Sequence, residues 1–294
     1  PLFISTLLHG NETTGFYAVQ RLLKEYQDKP LPRSVSVFIG NVEAAAAEQR
    51  RLDRQPDYNR VWPGTHHDNC AETDMMRNIS NIMRKRKPFA SIDIHNNTGL
   101  NPHYACVNIL NPHCIQLDGM FGNTVVYFTS PKGVQSAAFS DFCPSVVLEC
   151  GQSGQADGVS HSSRFLQAVL NTEKLSSENP EQINLFQTVA RLTVPETFSL
   201  GTDSNTDIHL NHELEKMNFE QLASGSIFAG LNPESNAHLV VTNESNEDVS
   251  SEFFETRDSK IVLKKNATLS MYTTSERAIR QDCLCYLMEQ IHIG

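Results

Sequence analysis

Two histidines stand at the ends of apolar segments, where their side chains could do chemistry. His9 follows the apolar segment LFISTLL and precedes Glu12 by three residues, and His95 ends a second apolar segment, FASIDIH. Imidazole and carboxylate groups are preferred zinc ligands, so these residues could bind one metal ion. Taken alone, the spacing of His9 and Glu12 fits equally well a strand-end histidine and a first-turn acid that the helix dipole favours.

The placement of the two histidines predicts that they lie close together. In open α/β sheets, ligands bind outside the carboxyl ends of the strands. We therefore expect His9 and His95 to converge at one edge of a sheet. Asp93 lies two residues before His95, on the same face of the strand. It could orient a metal ligand, or it could be a buried acid held by backbone donors.

A third apolar segment ends in an acid. Glu149 closes the segment SVVLE and is followed by Gly151 and Gly154. A buried carboxylate is costly unless it is paired or used. Next to a metal-bound water, a glutamate is suited to act as a general base. The alternative is a structural ion pair.

A loop rich in arginine could bind an anionic group. It contains Arg50, Arg51, Asp57, Asn59 and Arg60 in the stretch RRLDRQPDYNR. Arginine binds carboxylates with two parallel hydrogen bonds. Without further context, a charged loop exposed to solvent explains the same composition.

Four motifs in this order resemble one known family. HGNETTG, DYNRVWPG, DIHNNTG and VVLECG are similar to motifs of the zinc carboxypeptidase superfamily, and within it to the succinylglutamate desuccinylase/aspartoacylase family. The resemblance covers about residues 1–175. It implies a hydrolase that binds one Zn²⁺ per chain through the residues matching the family's three ligands, which are His9, Glu12 and His95.

The resemblance also implies roles for the other motif residues. Glu149 matches the general acid/base, and Asn59 and Arg60 match the pair that binds the substrate's carboxylate. Arg51 would polarise the scissile carbonyl group. Arg50 is the alternative, and the spacing from the arginine to Asp57 is a residue longer than the family's usual pattern.

Two further positions bear on the substrate. In aspartoacylases an arginine about ten residues before the catalytic glutamate selects aspartate, whereas here Phe139 stands near that position and the nearest cation is Lys132. We therefore do not expect specificity for aspartate. Tyr272 stands about where the family places a tyrosine that closes the substrate pocket, but we favour a core or surface tyrosine at this position. Trp62 we interpret as a packing residue.

Taken together, the resemblance implies a zinc-dependent hydrolase that cleaves the amide bond of a small N-acyl amino acid carrying a free carboxylate. The first alternative is a metallocarboxypeptidase acting on peptides. The second is a zinc-binding module without catalysis. Two other groups we interpret as structural: His66-His67-Asp68 as a solvated loop, and Cys283 and Cys285 as buried apolar residues.

The order of predicted elements indicates the fold that must position these residues. Strands and helices alternate over residues 1–178, which predicts an α/β domain with a mixed central sheet flanked by helices. Residues 179–294 contain short β-like stretches and predict a smaller β-rich domain. A closing helix is predicted over 275–291. The chain opens at Pro1 directly in an apolar strand, and we expect further residues upstream.

Composition excludes several classes of partner. The chain has 294 residues, of which 39% are hydrophobic, and a net charge of −10 without a basic stripe. These values argue against nucleic acid as a partner. The sequence has no apolar run of 18 residues, so we expect no membrane span. Seven scattered cysteines predict reduced thiols and a cytoplasmic protein. A homo-oligomer is possible.

Overall fold

The computed structural model describes residues 1–178, 180, 182–203 and 205–292. The chain divides into two compact units. The first comprises Pro1–Asn96 and His103–Leu185, and the second comprises Asn97–Pro102 and Phe186–Gly294. The domain boundary predicted from the sequence, between residues 178 and 179, falls at Asn179, which lies outside the described residues, and it stays a prediction.

The first unit alternates strands with helices. Its elements are β1 (Leu2–Thr6), α1 (Thr14–Glu25), β2 (Val35–Ile39), α2 (Val42–Ala46), α3 (Ala71–Arg86), β3 (Ala90–Asn97), β4 (Tyr104–Val107), α4 (Pro112–Gly119), β5 (Thr124–Tyr127), α5 (Gln135–Ser140), β6 (Ser145–Gln152) and α6 (Ala156–Asn171). The short helix α5 was not foreseen from the sequence. The predicted alternation is otherwise confirmed, with boundaries that differ by a few residues.

The strands of the first unit form a mixed sheet in the order β5-β4-β6-β3-β1-β2. Strand β1 is parallel to both β2 and β3, and β4 is parallel to β5 but antiparallel to β6. The Ser91 amide donates to the Pro144 carbonyl, and the Asn96 side chain donates to the Gly151 carbonyl. Strands β3 and β6 therefore run in the same direction, and the carboxyl ends of β1, β3 and β6 lie at one edge.

Burial explains why these segments form this sheet. All five residues of β1 and all eight of β3 are buried, as expected for central strands with apolar cover on both faces. In α1 the buried residues recur every three or four positions, which places one face of the helix inward. The predicted mixed α/β fold is confirmed.

An aromatic cluster lies in the first unit's core. Trp62 is fully buried and contacts the rings of Phe38 and Phe139 at centroid distances of 5.8 and 5.9 Å. Phe139 also stacks on Phe3 at 4.6 Å. The packing role predicted for Trp62 is confirmed. Phe139 is a core residue as well.

The second unit is rich in short strands. Its elements are β7 (Asn184–Thr193), β8 (Leu200–Gly201), β9 (Ile208–Leu210), a 3₁₀ helix (His212–Met217), β10 (Gln221–Leu222), β11 (Ile227–Leu231), β12 (Val240–Asn243), α7 (Ser250–Phe253), β13 (Phe254–Arg257), β14 (Lys260–Leu263), β15 (Ala267–Ser270), α8 (Glu276–Gln281) and β16 (Cys285–Ile291). One sheet has the order β13-β14-β11-β9-β8. In the other, β15 pairs with β10 and β16, and β12 pairs with β7.

The predicted closing helix over 275–291 is wrong beyond Gln281. Helix α8 ends there, and Cys285–Ile291 form strand β16 instead. In the ladder with β15, Leu287 stands opposite Leu269, and both side chains are fully buried. Pairing with a distant strand thus decides the conformation of a segment whose local pattern suits a helix.

Tyr272 is a core residue of the second unit. Its ring is fully buried against Phe228 at a centroid distance of 5.6 Å, and its hydroxyl donates to the Asn211 carbonyl at 3.0 Å. The packing interpretation of this tyrosine therefore agrees with the structure.

Among the described residues, no helix is both long and apolar enough to cross a membrane.

Candidate metal centre and catalytic residues

His9, Glu12 and His95 meet at the edge of the sheet. Both oxygens of the Glu12 carboxylate are used: Oε1 lies 2.8 Å from Nδ1 of His9, and Oε2 lies 2.7 Å from Nδ1 of His95. One ligand atom from each residue lies within 4.8 Å of the others, and all three residues are buried. Elsewhere in the described chain, no other group of three such side chains is placed to hold a metal ion.

The opposite nitrogen of each imidazole faces a second carboxylate. Nε2 of His9 lies 3.0 Å from Oδ1 of Asp57, and Nε2 of His95 lies 2.9 Å from Oδ2 of Asp93. In metal sites, a carboxylate at one ring nitrogen fixes the ring and leaves the other nitrogen for the metal. The structure therefore places Asp93 where it can orient His95, one of its two predicted roles.

The charges of this cluster suit a bound cation. Burial lowers the pKa of His95, but the carboxylates of Asp93 and Glu12 outweigh it and raise that pKa well above the usual value. Burial would raise the pKa of Glu12, yet the two imidazoles hold it below its usual value. Protons on the imidazoles thus balance the carboxylates, and a divalent cation could replace them. The set of two histidines and one glutamate is a known zinc ligand set.

Two glycines of the HGNETTG motif allow this arrangement. A Cβ on Gly10 would lie 2.2 Å from the Ala45 backbone nitrogen, and one on Gly15 would lie 2.5 Å from the Thr6 hydroxyl. Both distances are shorter than a real Cβ contact. Any side chain at Gly10 would therefore push α2 away from the turn between His9 and Glu12.

The arginine loop brings Arg50 to the cluster. Nη2 of Arg50 lies 3.0 Å from Oδ2 of Asp57, and Nη1 lies 3.7 Å from Oε1 of Glu12. The Arg51 guanidinium instead donates to the Gln55 carbonyl at 3.2 Å. Arg50, the alternative in the prediction, is therefore the arginine that lies beside the candidate metal ligand Glu12.

Asn59 and Arg60 lie beside the same cluster. Nδ2 of Asn59 is 3.3 Å from Nε2 of His95, and Oδ1 accepts a hydrogen bond from the Gln135 amide at 3.0 Å. The Arg60 guanidinium donates to the Asn59 carbonyl at 2.9 Å and is partly exposed. Asn59 thus contacts the candidate metal ligand His95 directly, while Arg60 presents a cation beside Asn59.

Glu149 lies on β6, the strand next to β3. It stands opposite Tyr104 in the β4–β6 ladder and is 8% exposed. Burial raises the pKa of Glu149 to about 7, with His95 lowering it and Glu12 raising it. A carboxyl group with this pKa can accept and return a proton near neutral pH, which is what a general acid/base requires.

Sequence reasoning gave no role to Asn96. Its backbone amide donates to Oε2 of Glu12 at 3.2 Å, and its side chain donates to the Thr14 hydroxyl and to the Gly151 carbonyl, each at 2.9 Å. Asn96 therefore ties Glu12 to the end of β3 and to β6. The signal available in the sequence was a polar residue directly after a strand-end histidine.

The two groups interpreted as structural agree with that interpretation. His66, His67 and Asp68 lie in a loop and are exposed. Cys283 and Cys285 are buried, and burial raises the pKa of the Cys283 thiol to about 12. Such a thiol stays protonated and is a poor metal ligand.

A sequence model of the succinylglutamate desuccinylase/aspartoacylase catalytic domain matches residues 1–174, which is more than half of the chain. The chain belongs to this family. The match covers every residue of the candidate site, from His9 to Glu149. Membership indicates deacylation of the type that the family name describes. No curated protein matches the sequence significantly.

Solved structures show the same fold. A succinylglutamate desuccinylase from Chromobacterium violaceum is 15% identical, with a TM-score of 0.64 over 100% of this chain and 85% of that chain. Murine aminoacylase 3 is 16% identical, with a TM-score of 0.64 over 99% and 95% of the two chains. A succinylglutamate desuccinylase/aspartoacylase from Rhodobacter sphaeroides is 14% identical, with a TM-score of 0.64 over 99% and 85%.

We predict that the purified protein binds about one zinc ion per chain, because the ligand set leaves a coordination position free as in catalytic zinc sites. His9→Ala and His95→Ala should each lose the metal, since each removes one of three ligands. Metal content measured by mass spectrometry after gel filtration checks this. His66→Ala, which changes an exposed histidine, is the control and should retain zinc. Full occupancy in both site variants would contradict the assignment.

Proposed function

We propose that the protein is a zinc-dependent hydrolase that cleaves the amide bond of a small N-acyl amino acid. One observation carries the proposal: Glu149 lies on β6, next to the strand of His95, and His95 belongs to a buried group of three side chains that could hold a metal ion. Burial raises the pKa of Glu149 to about 7. This is the combination that metal-assisted amide hydrolysis needs. The names of the structurally similar proteins, succinylglutamate desuccinylase and aminoacylase 3, support the choice of substrate class.

His9, Glu12 and His95 would hold the zinc ion. When bound, zinc supplies Lewis-acid activation of water and of a carbonyl oxygen. Asp57 and Asp93 keep the two imidazoles oriented. Buried among these groups, Glu149 in its ionised form takes a proton from the attacking water. It then delivers that proton to the leaving amide nitrogen, which departs as an amine.

Arg50 and Arg60 would act on different parts of the substrate. Arg50 lies beside Glu12 and Asp57, and its guanidinium would stabilise negative charge developing on the carbonyl oxygen. Arg60 is partly exposed and would bind the substrate's free carboxylate, fixing the amide in position. Asn59 would position Arg60 through its carbonyl and contact the site through its side chain.

The setting proposed for the protein is the cytoplasm, with a small molecule as substrate and no nucleic acid or membrane as partner. All seven cysteines are free thiols, and all but Cys70 are buried. Unpaired thiols are typical of a reducing compartment.

A matched substrate series tests the proposed function. We expect the zinc-loaded protein to cleave one or more members of a panel of N-formyl, N-acetyl and N-succinyl amino acids. Conversion of the free carboxylate to its amide should lower kcat/KM by roughly tenfold or more, since a charge-assisted contact contributes about 1.5–3 kcal/mol. Liberated amine is measured by derivatisation, with Glu149→Gln as the blank.

The same series separates the alternatives. A metallocarboxypeptidase would cleave a decapeptide at least as well as an acyl amino acid with the same terminal residue. A zinc-binding module without catalysis would leave the whole panel uncleaved while still binding the metal. Either result would contradict the proposed deacylase.

The pH profile tests the role of Glu149. A general base must be ionised, so kcat/KM should fall about tenfold per pH unit below the pKa of Glu149. That pKa is about 7 in the metal-free site, and a nearby cation lowers it, so the midpoint should lie at or below pH 7. Zinc content measured at each pH excludes metal loss as the cause. A midpoint above pH 8, or a kcat/KM that does not fall at any acidic pH at which the zinc is retained, would contradict this role.

Alanine variants of the two arginines decide which one acts on the carbonyl. Arg50→Ala should lower kcat by about 10²–10³-fold, the usual effect of removing one donor to a developing oxyanion. Arg51→Ala should leave kcat within a few fold, because its guanidinium binds a backbone carbonyl of the loop. Zinc content is measured for both, since Arg50 also contacts Glu12. A large loss in Arg51→Ala with normal kcat in Arg50→Ala would reverse the assignment.

A further inference from the structure

A serine of the first strand lies behind the candidate metal ligand His95. Ser5 and Asp93 are direct partners across the parallel strands β1 and β3. The Ser5 hydroxyl donates to Oδ1 of Asp93 at 2.7 Å, and Oδ2 of Asp93 lies 2.9 Å from Nε2 of His95. Ser5 and Asp93 are fully buried, and His95 is 4% exposed. The three side chains form one line from the sheet interior to the site.

The two histidines of the cluster are supported in different ways. Asp57, behind His9, accepts hydrogen bonds from the Arg50 guanidinium and from the Asn59 amide. Asp93 has no guanidinium among its partners in the described part of the chain. Apart from the imidazole of His95, its side chain has the Ser5 hydroxyl as donor. The neutral Ser5 hydroxyl thus donates a hydrogen bond to Asp93, as the Arg50 guanidinium does to Asp57.

A hydroxyl at this position has a cost that packing does not explain. Strand β1 is buried along its whole length, so the Ser5 hydroxyl is removed from water and is unfavourable there without a partner. The bond to Asp93 offsets this cost. It also removes the rotational freedom of the Asp93 carboxylate, which would otherwise have one oxygen without a partner.

We propose that Ser5 is a positioning residue for the metal site, acting on His95 through Asp93. With Oδ1 fixed by Ser5, Oδ2 of Asp93 accepts the Nε2 proton of His95. The imidazole then holds its proton on Nε2 and presents the Nδ1 lone pair towards Glu12 and the metal. This inference rests on the zinc site of the proposed function and names a residue that none of the four sequence motifs contains.

A double-mutant cycle tests the inference in the full-length chain. Zinc affinity is measured by competition with a chromophoric chelator for the unchanged protein, Ser5→Ala, Asp93→Asn and the double variant. Loss of a group bonded directly to a metal ligand typically lowers affinity by about 10–100-fold, so we expect a loss of that size for Asp93→Asn and a smaller loss, of about three- to tenfold, for Ser5→Ala. In the Asp93→Asn background, Ser5→Ala should cause little further loss, because Ser5 acts through Asp93.

Ser145→Ala is the matched control. Ser145 is a fully buried serine of strand β6, and its hydroxyl has no hydrogen-bond partner among the described residues. This variant should bind zinc as the unchanged protein does. A second readout is the proton on Nε2 of His95, observed by nitrogen-15 NMR of the zinc-loaded protein. The resonance of this proton should shift in Ser5→Ala and stay in place in Ser145→Ala.

The outcomes separate the inference from the proposal on which it rests. If the unchanged protein binds no zinc, the proposed function itself is wrong. If it binds zinc and Ser5→Ala binds equally tightly, the positioning role of Ser5 is overturned. Losses that simply add in the double variant would also overturn it, because Ser5 would then act independently of Asp93.

Discussion

The site depends on one carboxylate shared by two imidazoles. Glu12 bridges Nδ1 of His9 and Nδ1 of His95, and both contacts are buried. Three acids and two histidines packed in this way carry excess negative charge unless protons or a cation neutralise it. The groups around the cluster reflect this need. Arg50 donates to Asp57 and Ser5 donates to Asp93, the two outer carboxylates, while burial raises the pKa of Glu149 to about 7.

The sheet makes this concentration of charge possible. Three strands run in the same direction and end at one edge, so residues distant in the sequence meet there without long loops of their own. His9 follows β1, His95 belongs to β3 and Glu149 belongs to β6. Close backbone approach at Gly10 and Gly15 lets the turn after β1 lie against its neighbours. The register and direction of the strands therefore fix the relative positions of these three side chains, and a change in either would separate them.

The α/β fold and most residues of the candidate site could be predicted from the sequence, because apolar segments mark the buried strands and the polar residues that end them mark the site. Apolar runs ending in His9, His95 and Glu149 indicated both the buried strands and the edge where they end. Which arginine reaches the site could not be read, since Arg50 and Arg51 are adjacent and the loop's path depends on contacts with Asp57 and Gln55. Strand β16 was missed for a similar reason: its partner, β15, is distant enough that no local pattern reveals the pairing. Ser5 was hidden inside an apolar strand.

Anomalous diffraction at the zinc absorption edge, from crystals of the zinc-loaded protein, tests the central claim most directly. The account predicts one strong peak per chain in the first unit, at about 2.0–2.2 Å from Nδ1 of His9, Nδ1 of His95 and a carboxylate oxygen of Glu12. Nε2 of His9 should remain hydrogen-bonded to Asp57, and Nε2 of His95 to Asp93. A peak on the Nε2 side of either ring, a peak at other residues, or no peak between these three side chains would contradict it.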